Sequence, residues 1–298
     1  MGARLPDFLI IGAMKCGTST LHEQLALRSG LFLSTPKEPN FFSDDAQYAR
    51  GLDWYTALFA AAREDQRCGE SSTHYTKRPT YPETVARMHR HLPRARLIYV
   101  MRDPIERIVS QYIHEWSQHE VACGFEEALR RYDRYVAYSS YAYQLEPFLE
   151  HYGAASILPA AFEHLVAHPD EELARICAFL GDPSREPVRW CEERARENTS
   201  SERIRGNTLV ELVRSVPALR AIKGRMPQGW RDRVKARWQM RERPVLSSEA
   251  RLALEGRLDP DLERLGAWLG LDLTCARWRT RALARPFVWV GRAPGDAG

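Results

Sequence analysis

The chain has 298 residues, 44% of them hydrophobic, enough for one sizeable core, and its net charge of +4 is too small for a polycation built around nucleic acid. Its 43 basic residues are almost all arginine, with lysine only at Lys15, Lys37, Lys77, Lys223 and Lys235, a bias that suits bidentate oxyanion recognition. Six scattered cysteines form no C-x-x-C pair, which argues against a zinc framework, gives no disulfide pattern and leads us to expect reduced thiols in the cytoplasm.

In chain order, the first organised stretch is PDFLIIGAMKCGTSTLHEQ, residues 6–24. Residues 8–11 read as a short buried strand, too brief for a membrane span or a signal-peptide core. Residues 12–17 read as a tight loop, and a helix starts near Thr18. Gly12 and Gly17 let backbone amides curl inward, Thr18, Ser19 and Thr20 add hydroxyls, and Lys15 projects a cation into the same space. With the first-turn N–H groups and the helix dipole, this makes a phosphate cradle. The glycine spacing is that of G-x-x-x-x-G-K-[ST], but Thr18 stands where that motif has its lysine. An ATP or GTP site, as in a P-loop kinase, and a site for a related nucleotide both stay open here.

From Leu31 the pattern loosens, and Pro36 and Pro39 bracket a rigid turn holding Lys37 and Glu38. Residues 48–62 have helical spacing, 68–75 (CGESSTHY) suggest a short strand entering a polar loop, and 82–92 a helix. Residues 97–101 form the second clear strand, and Pro104 in a first turn starts the next helix. Helices are expected over 125–132, 142–152 and 170–180, the last ending at Gly181, with a short strand at 157–160. Strands alternating with helices predict an α/β fold with a central parallel sheet and ligands at the strand C-terminal ends.

Residues 1–197 are thus expected to form the α/β core, with 198–298 a helical, basic segment packed on it in one domain. Within 203–243, Leu209, Leu212, Val213, Val216 and Leu219 make one apolar helical face, and Trp230 and Trp238 lie among arginines. This stretch suits a solvated subdomain over the cleft, or a surface for an anionic partner such as an acidic sugar, lipid headgroup or membrane face. Nucleic acid is disfavoured, because no recognised binding fold accompanies the charge. Residues 252–269 read as an amphipathic helix and the tail after Arg285 as frayed. A non-catalytic protein using this basic stretch on acidic polymers is the reading furthest from an enzyme.

Arg102 ends the second strand, and Ser110 follows inside the next helix. A guanidinium at a strand end and a hydroxyl one element later can converge on one phosphate. Two anion sites at strand ends suit a nucleotide with phosphates on both sides of its ribose. On these two stretches, PDFLIIGAMKCGTSTL and RLIYVMRDPIERIVSQY, the chain resembles the sulfotransferases that use 3′-phosphoadenosine 5′-phosphosulfate (PAPS), most nearly the heparan-sulfate-type enzymes and their bacterial relatives. The resemblance spans residues 6–181. It implies a P-loop-like α/β fold, no metal, and direct in-line transfer of a sulfuryl group to a hydroxyl, less readily an amine, of a glycan, lipid or small metabolite.

By position, the resemblance places the 5′-phosphosulfate on Lys15, Cys16, Gly17, Thr18, Ser19 and Thr20, and the 3′-phosphate on Arg102 and Ser110. It also implies nucleotide contacts from a later tyrosine, matched by Tyr141, and from a basic loop for which Arg203, Arg205 and Lys223-Gly224-Arg225 are candidates. PKEPNFF resembles the family's glutamate turn, making Glu38 the candidate general base and Lys37 an orienting cation. Asn40 stands for a histidine and Ser43 for an aspartate of E-P-H-F-F-D, while Ser71 and Thr73 replace lysine and proline of E-K-[ST]-P. Those departures touch the acceptor side, with Lys37, Asn40 and His74 the candidate acceptor contacts. His74 and His114 are further candidates for the base.

Overall fold

A computed structural model of the chain describes residues 4–197 and 243–290. The basic stretch 203–242, including Arg203, Arg205, Lys223 and the apolar face from Leu209 to Leu219, lies outside the described residues.

Five parallel strands form the sheet: β1 (Phe8–Gly12), β2 (Leu31–Leu33), β3 (Arg67–Ser71), β4 (Arg96–Met101) and β5 (Ile157–Ala161), in the order β2-β3-β1-β4-β5. β1 is buried along its whole length, as a strand covered by helices on both faces must be, and its FLII run supplies the apolar side chains. It pairs with β3 at Phe8↔Gly69 and with β4 at Ile10↔Ile98. The chain goes to β1's right and left in turn, so the crevice opens at β1's C-terminal end.

The helices are α1 (Thr18–Ala26), α2 (Asp45–Tyr48), α3 (Gly51–Ala57), α4 (Thr84–His91), α5 (Pro104–Ser117), α6 (Phe125–Arg131), α7 (Arg134–Ala137), α8 (Tyr141–Tyr152), α9 (Phe162–Ala167), α10 (Pro169–Leu180), α11 (Glu192–Glu197), α12 (Ser248–Leu269) and α13 (Trp278–Ala284). α5 starts as its sequence dictates: Pro104 occupies the first turn, and the Asp103 carboxylate caps it by accepting the amides of Ile105 and Glu106 at 3.0 Å. α10 ends at Gly181, whose φ of 64° is a left-handed helix stop.

Three expectations are corrected. The helical stretch expected over 48–62 is only α3, Gly51–Ala57: the Asp44 side chain caps a separate short helix, α2, that ends at Tyr48, and Gly51, at φ 83°, turns the chain before α3. The loosened stretch at Leu31 contains β2, an edge strand of three residues and too short to show a period. The tail after Arg285 is docked as far as Val290: Phe287 is fully buried, Trp289 Nε1 donates to the Ile157 carbonyl at 2.7 Å, and the Val290 amide to that of Trp268 at 3.0 Å. Leu258, Leu262, Leu265 and Trp278 from α12 and α13 join the same hydrophobic core as the sheet.

Candidate active site

The loop after β1 turns at Gly17, φ 79°, and a Cβ there would meet the Phe162 ring at 2.8 Å. Glycine is required both for the conformation and for the space. Gly17's carbonyl accepts the Leu21 amide at 3.0 Å, so the earlier amides of α1, Thr18 to Thr20, form the first turn that has no carbonyl partner within the helix. Lys15 holds φ 69°, a left-handed conformation that non-glycine residues adopt rarely and mostly at functional sites. Cys16 is different: its thiol is fully buried, and burial pushes it up to about 12, while its amide is spent on the Ala13 carbonyl. It shapes the loop from beneath rather than offering a donor to a ligand.

Arg102 lies next door because β4 is β1's neighbour. Its guanidinium reaches the Lys15 carbonyl at 3.5 Å, lies 4.9 Å over the Phe162 ring and pairs with Glu106 at 3.4 Å. Phe162 thus packs on both Gly17 and Arg102, joining the cradle to the second anion site. Ser110 and His114 follow half-buried on α5, one turn apart. Tyr141 does not face the cleft as expected. It is fully buried, and its hydroxyl donates to the Arg102 carbonyl at 2.6 Å, so it fixes the strand end that carries the guanidinium. Arg243 pairs with the same Glu106 oxygen, Oε2, as Arg102 does.

On the opposite flank, the turn after β2 reaches across to the end of β3. The Glu38 amide donates to the Ser71 carbonyl at 2.9 Å, and its carboxylate accepts Lys37 Nζ at 2.9 Å, the Thr73 amide at 2.9 Å and the Thr73 hydroxyl at 3.2 Å. Glu38 and Asn40 both hold positive φ, 58° and 52°. The site carboxylate is therefore aimed by three neighbouring donors while staying 28% exposed. His74 stacks on Tyr81 with ring centroids 5.0 Å apart; its buried Nδ1 and the buried Oδ1 of Asn40 have no hydrogen-bond partner among the described residues. Burial, with Lys77 adding to it, lowers His74 to about 4, which leaves the ring neutral at neutral pH.

Several residues here gave no signal in the sequence. Lys77 makes no ion pair among the described residues, and burial lowers it to about 8 against the opposing pull of Glu38 and Glu115. His22, on α1, lies 2.8 Å from Ser71 Oγ and is lowered to about 4 by burial and by the Lys37 charge. Glu70, beneath both, is discussed below. Asp103, just past the end of β4 where a P-loop kinase carries its metal-binding aspartate, is spent capping α5, and among the described residues no group of three or more His, Cys, Asp or Glu could hold a metal ion.

Residues 5–229 match the sulfotransferase domain family. The chain is 32% identical over 187 residues to mouse heparan sulfate glucosamine 3-O-sulfotransferase 3A1, covering 60% of this chain and 46% of that protein. It is 32% identical over 188 residues to human heparan sulfate glucosamine 3-O-sulfotransferase 6, covering 60% and 53%. The chain thus spans about half the length of the curated relatives it matches. The solved structure of a sulfotransferase from Alicyclobacillus acidocaldarius superposes with a TM-score of 0.64 at 24% identity, covering 93% of this chain and 99% of that one. That likeness establishes the P-loop-like α/β fold.

Proposed function

The chain belongs to the sulfotransferase family, and from that premise we propose that it moves a sulfuryl group from PAPS to a hydroxyl of an organic acceptor. The observation that carries this reading is the joining of two anion sites on neighbouring strands, with Arg102 reaching the Lys15 carbonyl and Phe162 packed on both. The donor set fits the nucleotide: amides and a lysine at one end, a guanidinium and a hydroxyl at the other. Thr18 in place of the P-loop lysine, and Asp103 in its capping role, speak against an ATP-dependent kinase.

Lys15 and the first-turn amides of α1 would hold the 5′-phosphosulfate, and Arg102 with Ser110 the 3′-phosphate. Each charge-assisted hydrogen bond is worth about 1.5–3 kcal/mol. The bound nucleotide supplies the sulfuryl group and a phosphate as its leaving group. Glu38 accepts the acceptor's hydroxyl proton, its orientation fixed by Lys37 and Thr73. Lys15 and the helix terminus would stabilise the negative charge that collects on the departing phosphate. The unpaired polar atoms of Asn40 and His74 favour an acceptor that offers hydrogen-bonding groups beside Glu38. A glycan, a lipid headgroup or a small polar metabolite meets that demand. We place the reaction in the cytoplasm on the strength of the unpaired cysteine pattern.

Titration calorimetry with 3′,5′-ADP, and with ATP plus magnesium as control, tests the donor. Preferred binding of 3′,5′-ADP, weakened about tenfold to a hundredfold in Arg102→Ala, is the expected outcome. A preference for ATP with magnesium would overturn it.

A further inference from the structure

Glu70, the penultimate residue of β3, is completely buried and makes no ion pair among the described residues. Its carboxylate instead receives three hydroxyls: Tyr75 at 2.6 Å and Tyr55 at 3.1 Å on Oε1, and Ser72 at 2.8 Å on Oε2. Ser72 Oγ in turn accepts the amide of Asn40 at 3.0 Å. A hydroxyl has one proton, so a serine that donates to Glu70 has its lone pairs turned toward Asn40. The turn carrying Glu38 and Asn40 is thereby pinned to the end of β3 at two points, Glu38 on the Ser71 carbonyl and Asn40 on Ser72. Both residues are in the left-handed region, which persists only where surrounding bonds enforce it.

We propose that Glu70 is a positioning residue for sulfuryl transfer, acting through Ser72 to hold the Glu38–Asn40 turn in its reactive geometry. The inference rests on Glu38 being the base. An ionised carboxylate accepts all three hydroxyls strongly, whereas protonation turns one oxygen into a donor and weakens the bond it accepts; Oε2, with Ser72 as its single partner, is the oxygen with room for that proton. Burial raises Glu70 to about 7, the Tyr75, Ser72 and Tyr55 bonds pull against it, and the Glu38 carboxylate pushes the same way as burial. The other groups around it do not titrate nearby. Tyr55 and Tyr75 are raised well above their ordinary range and stay donors, and His22, reaching Ser71 from α1, is lowered to about 4. Lys37 pairs with the Glu38 carboxylate at 2.9 Å. As pH falls through about 7, the Ser72 link loosens and the turn with it.

Hydrogen exchange of the full chain, read by mass spectrometry on peptides covering residues 34–44 and corrected for the intrinsic pH dependence of exchange, follows the turn without any acceptor. The wild-type protein should gain protection at Asn40 about tenfold between pH 6 and pH 8. Glu70→Gln and Ser72→Ala should each be flat and low over that range, and the double variant no lower than either, since both cut one chain. If Glu70→Gln does not fold, Ser72→Ala carries the comparison alone. Turnover in the variants should fall tenfold or more, with 3′,5′-ADP affinity unchanged within about twofold. Wild-type protection in the variants, or additive losses in the double variant, would overturn the inference. The expected exchange pattern in a protein without sulfuryl transfer would instead remove the functional reading and leave the Glu70 link standing.

Discussion

Around Lys15 and Arg102 the chain offers the cleft backbone amides, a helix terminus and a guanidinium braced by a carbonyl and a ring. Around Glu38 it offers side chains that are held by other side chains. The donor flank needs little more than Gly17, β1 beside β4, and Phe162 between them. The acceptor flank needs Thr73 on Glu38, Ser72 on Asn40 and Glu70 on Ser72, with two non-glycine residues at positive φ. Backbone-defined geometry tolerates changes of side chain and pH. A buried polar network does not, because each unpaired member costs its desolvation. The two flanks should therefore respond to substitution independently, the acceptor flank with the steeper losses in turnover.

The largest effect is expected from Glu38→Gln. The amide can still accept from Lys37 and Thr73 but cannot take a proton, so turnover should fall by about 10²–10⁴. Affinity for 3′,5′-ADP, measured by calorimetry, should stay within about twofold. A parallel loss of nucleotide binding would show that the flanks are coupled and break the contrast. Next in size is a stability effect at Lys77, whose burial lowers it from 10.5 to about 8. At pH 7 it is charged in both folded and unfolded chains, and the folded chain bears the cost of burying that charge. Between about 8 and 10.5 the folded chain gives up its proton before the unfolded one, so stability rises with pH. Lys77→Met should raise Tm at pH 7 by a few degrees, about 2–4 °C per kcal/mol at this chain size, and the gap over wild type should shrink as pH approaches 10.5.

The donor flank was legible in the sequence because its parts are contiguous. A strand, a glycine loop and a helix start stand in one run, and Arg102 and Ser110 in another. The pairing of β1 with β4 that brings them together follows from the α/β pattern. The turn around Glu38 was singled out by resemblance alone, and the partners that hold it were not legible. Ser72 and Thr73 lie more than thirty residues away, and nothing in CGESSTHY marks Glu70 as buried while His74 is left with a bare nitrogen. Tyr141 and Cys16 misled for the converse reason: proximity to a site in sequence does not say which way a side chain points, and both point into the core. β2 was missed because three edge residues carry no period, and the docked tail because Phe287 and Trp289 find their partners on α13 and β5.

The smallest predicted effect probes the one place where the donor flank also leans on side chains. Glu106 sits between Arg102 and Arg243, half exposed, and all three groups are reached by solvent. A carboxylate beside the proposed 3′-phosphate site would repel the incoming anion, and Arg243 would offset that charge. Arg243→Ala should weaken 3′,5′-ADP about twofold to fivefold at low salt and hardly at all at 0.5 M, since exposed pairs are weak and screened. Glu106→Gln should tighten binding by a similar factor and erase the Arg243→Ala effect, because the charge that Arg243 offsets is then gone. A loss of tenfold or more that survives both high salt and Glu106→Gln would mean that Arg243 contacts the phosphate itself. The donor flank would then depend on a side chain from beyond residue 242, and its independence from the rest of the chain would end at that arginine.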